Sequence, residues 1–211
     1  MFGFFRKKNS FQSWEKDMIL NVLREIDGYG VYVDQIEKGL IKRSYLVKQI
    51  PNYYHFVHDV SILRSYEKRK ESYFKLSAIK VFDDNGTALS VSLYFAYGLI
   101  LGYELDSKID RSKGLNVVSV DISKVKRIEL DTDYFNKISK LLSTQEAELI
   151  NKSDVYPTSI GRIDYYHLVE LEDGDFVGIT IDGLLFKIPH DGTMEELNRD
   201  QLMSYLKGSD Q

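Results

Sequence analysis

The 211-residue sequence has no cysteine, three prolines and a single tryptophan. Without thiols there are no disulfides, no thiolate zinc sites and no cysteine nucleophile, and the chain fits a cytoplasmic location. Long apolar runs are missing as well. The richest, Ala96 to Leu105, is short and broken by Gly98 and Gly102, so no membrane span is expected. In MFGFFRKKNS the apolar residues precede the charges, the reverse of a secretory signal, and residues 1–10 read as a frayed or docked tail. GxSxG, HExxH and P-loop patterns do not occur, and Gly28-Tyr29-Gly30 lacks the third glycine of a dinucleotide fingerprint, because Val33 stands there. No cofactor is expected from such a set of absences. The net charge of -4 supplies no overall pull toward nucleic acid. The basic run Arg64, Lys68, Arg69 and Lys70 is interrupted by Glu67 and Glu71 and reads as a solvated face.

What the chain does have is tyrosine and phenylalanine, 15 and 11 respectively, within a composition that is 43% hydrophobic and 28% charged. That balance belongs to a globular protein with a sizeable core. Tyrosine suits strands, and it suits binding surfaces, where the ring buries area and the hydroxyl stays wet.

Periodicity gives the elements. Ser10 or Ser13 can cap a helix running to about Ile26, with Trp14, Met18, Val22 and Ile26 on its apolar face and Gly28 as its stop. Asp34 can cap a short helix carrying Ile36, Leu40 and Ile41. Residues 73–82 and 89–95 flank Asp83-Asp84-Asn85-Gly86, a hairpin in which Leu89, Val91, Leu93 and Phe95 alternate with polar residues. Residues 98–105 continue the meander and 115–120 add a strand. Helices follow from Asp131 or Thr132, and from the capping box Ser143-Thr144-Gln145-Glu146. Between Tyr165 and Gly192 three short strands are joined by Asp173-Gly174-Asp175 and Asp182-Gly183, the last of them carrying Leu184, Phe186 and Ile188 on one face. Thr193-Met194-Glu195-Glu196 is a further capping box for a final helix ending near Leu206. Elements in blocks rather than in alternation predict an α+β fold with a mainly antiparallel sheet, flanked by helices at the N-terminus, middle and C-terminus. No linker-like shift divides residues 1–211, which read as one domain.

Three constellations can carry chemistry. His55 and His58, beside Asp59, would share a face if their segment were helical, a spacing that suits a metal pair; the third ligand would come from His167, His190 or a distant carboxylate. More ordinary is a pair of polar histidines that binds nothing. Glu170, Glu172, Asp173 and Asp175 form an acidic cluster able to hold calcium, or simply a solvated hairpin turn, since the regular ligand layout of an EF-hand loop is missing. His190-Asp191 resembles half of an acid-base pair, with no nucleophile motif to accompany it. No catalytic or metal residue is therefore assigned.

The C-terminal pattern resembles the SUKH superfamily of SMI1/KNR4-like proteins. The residues carrying the resemblance are Gly174-Asp175-Phe176, Ile179, Asp182-Gly183, Phe186 and His190-Asp191, followed by a helix ending at Tyr205-Leu206. Ile50-Pro51-Asn52-Tyr53-Tyr54-His55-Phe56 is similar to a Leu-Pro-x-x-Tyr-x-x-Phe helix near that family's start. The Asn-Gly-Gly that follows it in the family is missing, and the span from Pro51 to Gly174 is long. The resemblance implies an α+β fold without catalysis and, for bacterial members, an immunity protein that binds and blocks a cognate toxin.

Three functions stay open on this reading: a non-enzymatic domain binding a protein partner such as a basic toxin domain, a metal-dependent hydrolase or small-ligand enzyme using the histidines, and a cytosolic regulatory or structural interaction protein. For the first, the candidate contact residues are Glu170, Glu172, Asp173 and Asp175 with Tyr94, Tyr165 and Tyr166 as exposed aromatic anchors.

Overall fold

The computed structural model describes residues 10–68 and 71–208. The N-terminal tail up to residue 9, and Arg69 and Lys70 of the basic run, lie outside the described residues. The fold is α+β with mainly antiparallel sheets. Contacts divide the chain into two compact units, Met1–Ile128 and Glu129–Gln211. No linker rich in proline, glycine or serine marks that division, so the sequence reads as one domain.

In the first unit two helices, α1 (Ser13–Glu25) and α2 (Gly30–Glu37), precede the strands β1 (Ile41–Leu46) and β2 (Tyr53–His58) and the short helix α3 (Val60–Leu63). The strands β3 (Phe74–Asp83), β4 (Ala88–Ala96), β5 (Leu99–Leu105), β6 (Val117–Asp121) and β7 (Lys126–Glu129) follow. They form a sheet in the order β1-β2-β5-β4-β3-β6, and β7 also pairs with β3. Gln12 occupies the position before α1 in place of either serine, its backbone N–H donating to Glu15 Oε2 at 2.7 Å. Met18, Ile19, Val22 and Leu23 are buried on α1 in one cluster with Phe56, Leu93, Phe95 and Tyr103 of the sheet. Burying each such side chain contributes about 1.5–3 kcal/mol.

Two expectations are corrected here. Asp34 does not cap a helix; it lies inside α2, where its carboxylate accepts from Tyr66 Oη at 2.5 Å and pairs with Lys38 at 2.9 Å. The following Gly39, at φ +79°, ends that helix by taking the left-handed conformation. The helix that the family resemblance implies around residues 50–56 is a strand, β2, because Tyr53, Tyr54, His55 and Phe56 are side chains that suit a pleated surface between β1 and β5. The β3–β4 hairpin forms as expected. Asp83 Oδ1 accepts from Asn85 N at 2.9 Å and Thr87 N at 2.7 Å, and Val91, Leu93 and Phe95 are buried.

In the second unit α4 (Asp133–Ile138) and α5 (Thr144–Leu149) precede a five-stranded meander and the closing helix α6 (Arg199–Gly208). The strands are β8 (Pro157–Ile160), β9 (Ile163–Glu170), β10 (Phe176–Thr180), β11 (Leu185–Ile188) and β12 (Glu195–Leu197), paired in that sequence. The Ser143 box closes reciprocally, with Ser143 N donating to Glu146 Oε2 at 2.6 Å and Glu146 N to Ser143 Oγ at 3.2 Å.

The second box does not. Glu195 and Glu196 belong to β12, and α6 is capped instead by Asn198 and Gln201, each backbone N–H donating to the other's side-chain oxygen at 2.8 and 3.0 Å. On β11, Phe186 and Ile188 share a face as expected, packed with Tyr165 and Phe176, but Leu184 does not join them. Leu184 remains in the Asp182-Gly183 turn, closed by Thr180 N to Leu184 O at 2.9 Å, and is half exposed, whereas Leu185 enters the core. All five residues of β10 are buried, so both faces of this strand are covered.

Candidate binding surfaces

The acidic turn between β9 and β10 is a single 3-10 turn, Glu172–Gly174, in which Asp173 takes φ +57° and Gly174 +83°. Glu170, Glu172 and Asp173 are exposed. Asp175 plays a different part. Its Oδ1 accepts from His190 N at 2.9 Å and lies 3.0 Å from His190 Nδ1, which holds its carboxyl below the usual carboxylate range. Asp175 thereby ties the start of β10 to the exit of β11. His190 Nε2 stands 3.5 Å from Asp191 Oδ2 at an exposed position, with no nucleophile motif in the chain to serve. The register pairs Phe176 with both Glu170 and Ile188, and Lys187 with Glu195, so one end of the sheet gathers Glu170, Glu172, Asp173, Asp191, Glu195 and Glu196.

The three tyrosines expected at the surface are not exposed anchors. Tyr165 is 3% exposed and meets Phe186 edge-on at 5.5 Å, and Tyr166 is 8% exposed in the cluster with Val177 and Leu185. Adjacent residues on a strand point to opposite faces, and here both faces are covered. Tyr94, in the first unit, is half-buried. Its ring packs against Tyr53 at 4.9 Å and its hydroxyl donates to Glu104 Oε2 at 2.5 Å.

The histidines do not converge. Residues three apart on a strand point to opposite faces, so β2 separates His55 from His58. His58 Nε2 lies 2.8 Å from Ile100 O and His55 Nδ1 lies 3.2 Å from Tyr53 Oη, and burial lowers both imidazoles. His167 is stacked between Tyr156, at 4.0 Å, and Phe176, at 3.6 Å, with Nε2 2.9 Å from Thr158 Oγ1; burial brings it down to about 4. Among the described residues no group of three or more His, Asp or Glu is placed to hold a metal ion.

The best-built polar constellation went unread in the sequence. Glu15 of α1 has no solvent exposure, and it accepts hydrogen bonds from four segments of the first unit. Gln12 N donates at 2.7 Å, Ser44 Oγ at 2.8 Å, Tyr103 Oη at 2.5 Å and Arg111 Nη2 at 2.7 Å. Arg111 also contacts Ser44 Oγ and lies 5.2 Å from the Tyr54 ring, which itself stacks on Tyr103 at 5.0 Å. Burial, then the Glu15 carboxylate, pushes the Tyr103 hydroxyl far above its ordinary range, so it stays a donor. One signal was available: Glu15 falls on the helical stripe of Met18, Ile19 and Val22, where a carboxylate must find partners. Beside this network a cavity of about 490 Å³ opens between α1 and the segment 111–117, lined by Trp14, Asp17, Arg111, Lys113, Gly114 and Asn116 among others.

Charge is divided between the units. The first carries 21 lysines and arginines against 15 aspartates and glutamates, formally +6, and the second 7 against 17, formally -10. No protein-family model, no curated protein and no solved structure matches the chain.

Proposed function

We propose that the chain is a non-catalytic protein-binding protein whose second unit offers its acidic sheet end to a basic partner, in the manner that the SUKH resemblance implies for immunity proteins and their toxins. The observation carrying this reading is the concentration of 17 acidic residues against 7 basic ones in the second unit. Asp175 and His190 fix the turn that presents Glu172 and Asp173, so the charges are held in place before a partner arrives. Opposite charge across an interface raises the encounter rate and rejects partners of the wrong sign more than it adds contact energy.

The test is a binding measurement with the full chain and a basic toxin domain encoded beside it. Reversing Glu172 and Asp173 to lysine is expected to weaken binding about tenfold or more, chiefly through the association rate. Binding that is unchanged by this reversal removes the proposed surface, and no binding to the neighbouring domain removes the immunity reading.

A further inference from the structure

The five-stranded sheet of the second unit ends at β12 on one side and at β8 on the other, and the two edges are unlike. β12 carries Glu195 and Glu196, charges that keep foreign strands away. Along β8 and its turn, residues 155–163 hold a single charged side chain, Arg162, in a unit whose formal charge is -10. Tyr156, Ile160 and Ile163 are 48%, 37% and 50% exposed. They lie on one face: Tyr156 stacks on His167, Thr158 bonds to His167, and Ile160 pairs with Ile163. An edge without carboxylates, flanked by exposed apolar side chains, is a pairing site unless something covers it.

The backbone of this edge is complementary to itself. His167 N donates to Tyr156 O at 3.0 Å, so Tyr156, Thr158 and Ile160 turn their backbone groups toward β9. Pro157 O, Ser159 N, Ser159 O and Gly161 N therefore point outward, and none has a hydrogen-bond partner among the described residues. Along the strand these groups run acceptor, donor, acceptor, donor. Turned end for end about Ser159, the same series meets itself with every donor opposite an acceptor. Pro157, which bars most strands by lacking an N–H, does no harm in this register. The carbonyl that would need that N–H belongs to Gly161, already in the turn at φ +67°.

We infer that β8 pairs antiparallel with β8 of a second copy, centred on Ser159, so that two five-stranded sheets join into one. Thr158 then faces Ile160 of the other copy across a non-hydrogen-bonded pair, where side chains approach closest. Arg162 falls opposite the exposed Tyr156 ring, two residues beyond Asp154, so a cation meets an aromatic face and a carboxylate. The acidic turn between β9 and β10 lies at the other end of the sheet, because β9 runs from Ile163 to Glu170. Each copy thus keeps that turn free for the partner proposed above.

Sedimentation of the full chain over a hundredfold range of concentration should show its mass rise from one chain to two. Ser159→Pro removes the two central bonds of the four and is expected to weaken dimerisation about tenfold or more. Ser159→Cys gives the chain its only thiol, and across the two-fold axis a hydrogen-bonded pair sits about 5.5 Å apart, within disulfide range. Mild oxidation should therefore link that variant rapidly. Ile181→Cys, two strands from the edge at a 53% exposed site, should link only by slow collision. Circular dichroism checks that each variant folds; should Ser159→Pro not fold, the cysteine comparison decides alone. A chain that stays monomeric while both cysteines link at equal rates overturns the inference, as does a dimer that Ser159→Pro leaves unchanged.

Discussion

A carboxylate without solvent exposure is tolerable only while donors surround it, and Glu15 has four, one of them the Arg111 guanidinium. Removing it would leave a largely buried cation and two hydroxyls without their acceptor. Glu15→Ala is accordingly expected to lower the stability of the first unit by about 3–5 kcal/mol, read from denaturant unfolding. In a double-mutant cycle with Arg111→Leu, the two losses should fall well short of additive. His167 makes the corresponding case in the second unit. Its folded value of about 4 lies below the roughly 6.5 of an unfolded histidine. The unfolded chain therefore binds the proton first, so the contribution is complete above pH ~6.5 and is lost as pH falls toward ~4, by up to about 3 kcal/mol. His167→Phe keeps a ring between Tyr156 and Phe176. Unfolding measured at pH ~7.5 and ~5 should show a smaller loss in the variant than in the parent, and equal losses would exclude His167 as the source. At this scale the sequence is only partly readable. The stripe position of Glu15 is local, but its partner Arg111 stands 96 residues away, a pairing no spacing rule reaches.

Elements were legible where their signals were local. Asn85-Gly86 and Asp182-Gly183 fix hairpins through positive φ at the glycine, and the Ser143–Glu146 box needs only its own four residues. Thr193–Glu196 fits the same capping-box pattern, yet Glu195–Leu197 joins the sheet edge against β11, and Asn198 with Gln201 supplies an equally good cap five residues later than Thr193. Tertiary pairing decided between two local options. β2 was obscured in the same way, since two histidines three apart suggest a helical face while the neighbouring aromatics belong to a strand. Gly102 on β5 shows how tightly that strand is seated, because a Cβ there would lie 2.3 Å from Tyr54 O and 2.9 Å from Tyr53 Oη. Gly102→Ala should cost about 1–3 kcal/mol by forcing β2 and β5 apart, whereas Gly30→Ala, at a glycine with nothing within 4 Å of its added carbon, should cost less. Thermal melts of the two variants make the comparison.

For the molecule as a whole, the net charge of -4 conceals a first unit at +6 and a second at -10. The whole-chain total could not reveal this; a count taken along the sequence shows the shift, but no linker says where to divide it. If the acidic unit steers a basic partner, the association rate should fall steeply between roughly 0.05 M and 0.3 M salt while dissociation changes little, a comparison available from stopped-flow mixing. A rate insensitive to salt would exclude steering.

The same division governs how the protein meets a charged solid. An ion exchanger samples the patch it touches rather than the sum over the chain. The isoelectric point near 5.6 would send the protein to a quaternary amine resin alone. Its second unit should be retained there, while its first unit should also hold it on a sulfonate resin at neutral pH and low salt.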